Sequence, residues 1–220
     1  MERSFVIIKP DGTVRRRVSA LALQALLDQG LKIKAFKEMK VSESLAKMHY
    51  DVHKDKPFFP WLVDFISSAP VLTIIFEAEN AIQTIRDTLG ATFVQKANPD
   101  SVRGKYGIWA GINIAHASDA PETATNEIAL WTSEGGLIES SDAHERAQFH
   151  IAKYISGDAD YTMEIRETVQ NAIAKGNTSK YVLEKLTDLL GKDADGIPSD
   201  QIQALAKAIF DFIIEEVEKQ

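Results

Sequence analysis

The chain has 220 residues, 45% hydrophobic and 26% charged, with a formal net charge of −7 and no cysteine. That length supports one sizeable core or a core with a small appendage, and the longest apolar stretches, at 5–8 and 71–76, fall far short of the roughly 20 residues a membrane-spanning helix needs. Without cysteine there are no disulfides, thiol nucleophiles or thiolate metal sites, so covalent catalysis must use another nucleophile.

The charge is uneven. Residues 1–136 carry 16 Lys plus Arg against 16 Asp plus Glu, and residues 137–220 carry 9 against 16, so the whole of the −7 lies in the second part. Met1-Glu2-Arg3 runs into an apolar segment with no secretory-type leader, and a cytoplasmic location is expected.

In chain order, residues 4–9 read as a buried strand stopped by Pro10-Asp11-Gly12, and Val18, Leu21, Leu26 and Leu27 give a helix running to Gly30 as C-cap. Residues 31–41 suit a second strand. Ser42 caps a helix over 43–50, and 57–67 forms another helical piece. Residues 71–77 make a strand and 80–89 a helix closed by Gly90. A long loop from 91 to about 106 then precedes a strand near 108–115, and 121–130 is helical. This order predicts an α+β unit, a ferredoxin-like split βαβ antiparallel sheet with helices on one face; the other apolar face would be buried by a partner subunit, so self-association is expected.

After Gly135-Gly136 the pattern becomes all-α. Helices are predicted over 147–154, 161–174, 179–190 and 199–218, with Thr178 or Ser179 and Ser199 as N-caps. In the last of them Ile209, Phe210, Phe212, Ile213, Ile214 and Val217 cover more than half the circumference, which asks for burial against neighbouring helices or another chain; oligomer contacts are the expected use. The division is therefore 1–136 and an acidic helical extension, 137–220.

No GxxxxGK[ST], GxGxxG, HRDxxxxN or HExxH pattern occurs. The polar concentration Gly111-Ile112-Asn113-Ile114-Ala115-His116-Ala117-Ser118-Asp119 sits after an apolar strand and before the helix carrying Glu127. A histidine at a strand end, with a hydroxyl two residues on and a carboxylate on the next helix, suits a nucleophile with orienting groups. Local sequence equally allows a hydrogen-bonded surface histidine and a solvated glutamate. By the same measure Lys9 would be a solvated strand end, Arg86 a helix-surface charge and Phe58 a core residue.

The segments Phe5-Val6-Ile7-Ile8-Lys9-Pro10-Asp11-Gly12, His49-Tyr50, Lys56-Pro57-Phe58-Phe59, Gly90-Ala91-Thr92, Val102-Arg103-Gly104 and Asn113-Ile114-Ala115-His116-Ala117-Ser118-Asp119 together resemble the signatures of the nucleoside diphosphate kinases over residues 1–134. The resemblance implies ping-pong transfer of a terminal phosphate from a nucleoside triphosphate such as ATP to a nucleoside diphosphate, through a phosphohistidine formed at Nδ1 of His116. It further implies that Glu127 holds the other ring nitrogen, that Ser118 supports Glu127, and that Lys9 and Tyr50 stabilise charge at the transferring phosphate. Arg86, Thr92 and Arg103 would bind phosphate, Asn113 and Lys9 the sugar, and Phe58, with Leu62 beside it, the base by sequence-tolerant stacking. Mg²⁺ would arrive on the nucleotide phosphates, and the family implies a homo-oligomer built from dimers.

Several positions depart from the family pattern. Phe93-Val94 replaces Asn-Pro, Pro99-Asp100-Ser101 replaces Pro-Gly-Thr, Ile112 a frequent arginine, Ala117 a frequent glycine, Arg15-Arg16-Arg17 a glycine-containing turn, and Trp61 a small residue beside the nucleotide cleft. An alternative is a regulatory or scaffolding module whose helical tail recruits a partner. Nucleic-acid binding through Arg15–Arg17, Lys32 and Lys34 is not expected, because a charge run is more often a solvated face and the tail is acidic.

Overall fold

The continuous apolar run of the first segment forms β1 (Glu2–Ile8), whose Phe5 and Ile7 face one side of a sheet while Val6 and Ile8 face the other, all four fully buried. Along the chain follow α1 (Pro10–Thr13), α2 (Arg16–Leu27), β2 (Lys32–Lys40), α3 (Glu43–His49), α4 (Phe59–Ser67), β3 (Pro70–Ala78), α5 (Ala81–Leu89), α6 (Val102–Tyr106), β4 (Ala115–Ala117) and α7 (Pro121–Ser133). The extension supplies α8 (Ala143–Tyr154), α9 (Thr162–Ala174), α10 (Lys180–Gly191) and α11 (Ser199–Glu218). This computed structural model describes residues 1–157 and 159–220.

The strands lie in the order β2-β3-β1-β4, every neighbouring pair antiparallel, the ferredoxin-like arrangement. Ser42 caps α3 by accepting from the Leu45 N–H, and Gly90 ends α5 at φ +81°, a left-handed turn that a side chain resists. Of the other expected caps, Ser179 caps α10 as expected, without a side-chain bond, while Asp28 in place of Gly30 ends α2 and Pro198 caps α11, with Ser199 already helical.

Helices occupy both faces of the sheet, not one. Residues of α2, α5 and α8 cluster over Val6, Ile8, Phe36, Leu72 and Ile74, while α3, α4 and α7 cover Phe5, Ile7, Val71 and Ile75. The open face expected to need a partner subunit is therefore absent from the fold described: α3, α4 and α7 cover one face, and on the other Ala143, Ala147 and Ile151 of α8 join α2 and α5. The apolar side of α11 is likewise used internally: Leu205, Ala206, Ile209, Phe212 and Ile213 pack with α9 and α10 and with Phe65, Ile108 and Ile112.

The expected strand at 108–115 also changes. Only Ala115–Ala117 joins the sheet, so His116 lies inside a short strand opposite Ile7 and not beyond its end. Positive φ at Ala110 (44°) and Ile114 (78°) bends the chain upstream, and the apolar character of Ile108 and Ile112 serves the helical extension. The expected loop over 91–106 contains a 3₁₀ turn, Val94–Lys96, and α6.

The arginine run is not a solvated face: Arg15 and Arg16 are buried and Arg17 is half-buried. Arg15 is 1% and Arg16 4% exposed. Arg15 donates to Asp11 O (2.6 Å), Thr162 Oγ1 (2.9 Å) and Tyr106 O (2.9 Å), and Arg16 donates to Asp195 O (2.9 Å) and Glu38 Oε1 (3.0 Å). The Arg17 N–H donates to Asp193 Oδ2 (2.8 Å). The run forms the polar seam between the two parts of the chain.

Candidate active site

Pairing of β1 with β4 brings Lys9, just past the end of β1, and His116 to one end of the sheet, while α3 ends at His49-Tyr50 beside them. They line a cleft of ≈ 420 Å³ together with Leu62, Arg86, Thr92, Arg103, Asn113, Asp119 and Glu127. That size falls within the usual range of about 300–1,000 Å³ for small-molecule sites. Phe58 stands outside this wall, 43% exposed, its ring 5.7 Å from that of His53.

The histidine is held by a short relay. His116 Nε2 lies 2.6 Å from Glu127 Oε1, and Ser118 Oγ donates to Glu127 Oε2 at 2.6 Å. Ser118 itself accepts from the Phe5 N–H at 3.1 Å, so the relay is anchored on the central strand. A carboxylate accepts only, which puts the ring proton on Nε2 and leaves Nδ1 with its lone pair. Nδ1 has no hydrogen bond among the described residues. Ser118→Ala is expected to lower kcat about ten-fold with little change in KM, and to cost about 1–2 kcal/mol by orphaning the buried Phe5 N–H. Steady-state kinetics and denaturant melts measure both, and an unchanged kcat would remove Ser118 from the relay.

The cationic groups are partly desolvated. Burial lowers the Lys9 pKa to about 8, partly offset by Asp11 and reinforced by Arg103, and Nζ donates to Gly111 O at 2.6 Å. Arg103 is lowered to about 10, first by burial and then by Arg86. Its guanidinium donates to Gly90 O and Ala115 O, each at 2.7 Å. Asn113 Nδ2 donates to Thr92 O at 2.6 Å. Burial also raises the Tyr50 phenol, which keeps its proton as a donor.

Two contributors had no sequence signal beyond lying in the quoted motifs. Asp11, fully buried, accepts from the Ile114 N–H (2.9 Å), and Ile114 O accepts from the Lys9 N–H (2.7 Å); together they hold a β-branched residue at φ 78° two positions before His116. Gly12 permits this approach, since a Cβ there would lie 2.7 Å from Ile8 Cγ2. The other is His49, whose side chain is 1% exposed and whose ring stands 4.6 Å from that of His116, nearly perpendicular to it. Trp131 Nε1 donates to its Nδ1 (3.2 Å), which places the proton on Nε2. Burial holds this imidazole well below its ordinary pKa, so it stays neutral beside His116.

The family model for nucleoside diphosphate kinase matches residues 2–137. The chain belongs to this family. It is 44% identical over 143 residues to the nucleoside diphosphate kinase of Microcystis aeruginosa, covering 65% of this chain and 95% of that one, and 47% identical over 134 residues to that of Symbiobacterium thermophilum, covering 61% and 89%. Among solved structures, the Aquifex aeolicus nucleoside diphosphate kinase superposes with a TM-score of 0.57 at 36% identity, covering 62% of this chain and 99% of that one. The Halobacterium salinarum enzyme, solved in complex with CDP, gives 0.58 at 39%, covering 66% and 97%. The protein is thus a phosphotransferase that moves the terminal phosphate of a nucleoside triphosphate to a nucleoside diphosphate, an assignment that favours the enzyme over a scaffolding module.

Three departures of this nucleoside diphosphate kinase from its family pattern, Ile112, Trp61 and the arginine run, face the extension. Ile112 is fully buried among α9–α11 residues. Trp61 turns away from the cleft, donating from Nε1 to Ala208 O (2.8 Å) and lying 5.1 Å from the Phe65 ring. Ser101 caps α6 by accepting from the Gly104 N–H (3.2 Å). Ala117 has no positive φ and needs no glycine. Nothing in the structure explains Phe93, 54% exposed.

Proposed function

We propose that the phosphate travels on His116. The Nδ1 lone pair forms a bond to the terminal phosphorus as the bond to the bridging oxygen breaks and the nucleoside diphosphate leaves. A terminal oxygen of the second diphosphate then attacks the same phosphorus, the N–P bond breaks, and the neutral ring is restored. The observation that carries this reading is the 2.6 Å contact between His116 Nε2 and Glu127, which commits one ring nitrogen and leaves the other for phosphorus. Catalytic roles are proposed for Lys9, Tyr50, Glu127 and Ser118; Arg86, Thr92 and Arg103 take the phosphates, Asn113 and Lys9 the sugar, and Phe58 and Leu62 the base. The test is labelled ATP: an acid-labile, alkali-stable phosphoprotein should form stoichiometrically and lose its label to GDP. Absence of that species would overturn the reading.

Mg²⁺, which neutralises phosphate charge when bound, fits this cleft as an ion carried by the nucleotide. Among the described residues, the one grouping of protein ligands, His49, His116 and Glu127, offers two ring nitrogens and an already engaged carboxylate, whereas Mg²⁺ prefers oxygens. Asp119 is the exposed carboxylate on the cleft wall that can face such an ion.

Below pH about 8 Lys9 is a cation and above it a neutral amine, so kcat/KM should fall as pH rises through about 8. A bound polyphosphate raises this pKa, and the descending limb of kcat should lie higher. Because the folded pKa lies below the ordinary 10.5, the unfolded chain binds more protons between the two values and Lys9 adds stability as pH rises there. Unfolding therefore does not account for the loss. Rate profiles from pH 6 to 10 check the prediction, and a flat kcat/KM through pH 9 would refute it.

A functional division at 1–136 and 137–220, a cytoplasmic site of action and a homo-oligomer built from dimers complete the proposal. The last rests on the family resemblance, since helices of the chain itself cover both sheet faces. No described helix is long and apolar enough to cross a membrane.

A further inference from the structure

Arg103 rides on α6, a helix of only 5 residues. Segments this short do not sustain themselves in water, so the placement of the guanidinium depends on how the two ends of α6 are held. Ser101 holds the first end from within the loop. The carbonyls at the other end are taken by a residue outside the family's match: Arg166 of α9 donates from Nε to Gly107 O (2.5 Å) and from Nη2 to Gly104 O (2.7 Å) and, more weakly, to Arg103 O (3.4 Å). Its neighbour Ile165 is fully buried with Ile108 and Ile112, so α9 is fixed against the same loop. Gly104 and Gly107 let the chain close this tightly: a Cβ on Gly104 would lie 1.9 Å from Asn98 O, and one on Gly107 2.6 Å from Arg103 O.

We infer that Arg166 is a positioning residue for phosphate binding: the helical extension acts as an internal brace on the loop that presents Arg103 to the nucleotide. The inference rests on the reading of Arg103 as a phosphate ligand. A planar guanidinium with donors fanned in one plane reaches three carbonyls at once, which a single ammonium cannot do. Loss of the brace would let α6 fray and Arg103 drift, weakening nucleotide binding in both half-reactions.

The test is a double-mutant cycle on the full-length enzyme with Arg166→Ala and Arg103→Lys, reading kcat, KM and the Kd of ADP, with thermal melts alongside. Arg166→Ala should raise KM and Kd about ten-fold, because displacement of a binding group by an ångström or less carries penalties of that order. Arg166→Lys should recover only part. In the Arg103→Lys background, Arg166→Ala should add little. Leu186→Ala, a core change in α10, serves as control: it should lower the melting temperature and leave Kd unchanged below its transition. If Arg103→Lys leaves Kd unchanged, the phosphate-ligand reading falls and the brace with it. If Arg103→Lys weakens binding while Arg166→Ala does not, if the two effects simply add, or if Leu186→Ala raises Kd equally, Arg166 is not a positioning residue.

Discussion

His116→Ala is expected to lower phosphate transfer by about 10⁴-fold or more and to abolish the labelled phosphoprotein. The side chain lines the cleft, so its removal widens that space, and Glu127 keeps its bond from Ser118. Binding should survive, because Lys9, Arg86, Arg103 and Asn113 are untouched in the cleft wall. The diagnostic pattern is a folded protein that binds ADP with near-normal affinity and does not turn over. Nearby His49 offers no substitute nucleophile: its Nδ1 is engaged by Trp131 and its Nε2 is buried. Transfer by the variant at the original rate, or label persisting on another residue, would overturn the histidine mechanism.

The second large effect concerns stability. Arg15→Met should destabilise the protein by about 3–4 kcal/mol, the range for breaking a buried charged network from one side. For a chain of this size that corresponds to a fall in melting temperature of roughly 10 °C. Burial opposes this guanidinium's charge and lowers its pKa, while Asp11, Asp160 and Asp193 favour it. Methionine fills much of the volume but leaves Asp11 O, Tyr106 O and Thr162 Oγ1 without their donor and takes one cation from the surroundings of buried Asp11. Denaturant melts measure the change, and a loss within 1 kcal/mol of zero would mean the seam is held by apolar packing of α9–α11 and not by the arginine.

Much of the fold was legible because its cues are local. Short runs of β-branched and aromatic residues mark β1 and β3, Ser42 and Gly90 mark helix ends, and the helices of the extension fall close to their expected bounds. The residues gathered in the cleft were also legible, because a reaction centre that needs several side chain types at set places leaves a recognisable series of short motifs. The failures share a cause. Arg15–Arg17 look like a surface run because a sequence shows charge without its partners, and the carbonyls and carboxylates they meet are contributed mainly by residues 106–195. The strand expected at 108–115 fails for the same reason: Ile108 and Ile112 are apolar for the sake of α9–α11, not of a sheet.

The sequence by itself therefore determined the order of elements, the motif around His116 that we propose is catalytic, and the family, since each depends on residue type and spacing. The tertiary structure decided what covers the second sheet face, where the arginine run and Trp61 point, and which residue caps the helix that carries Arg103. Those depend on which distant surfaces meet, and burial, partner geometry and desolvation exist only once the chain has folded.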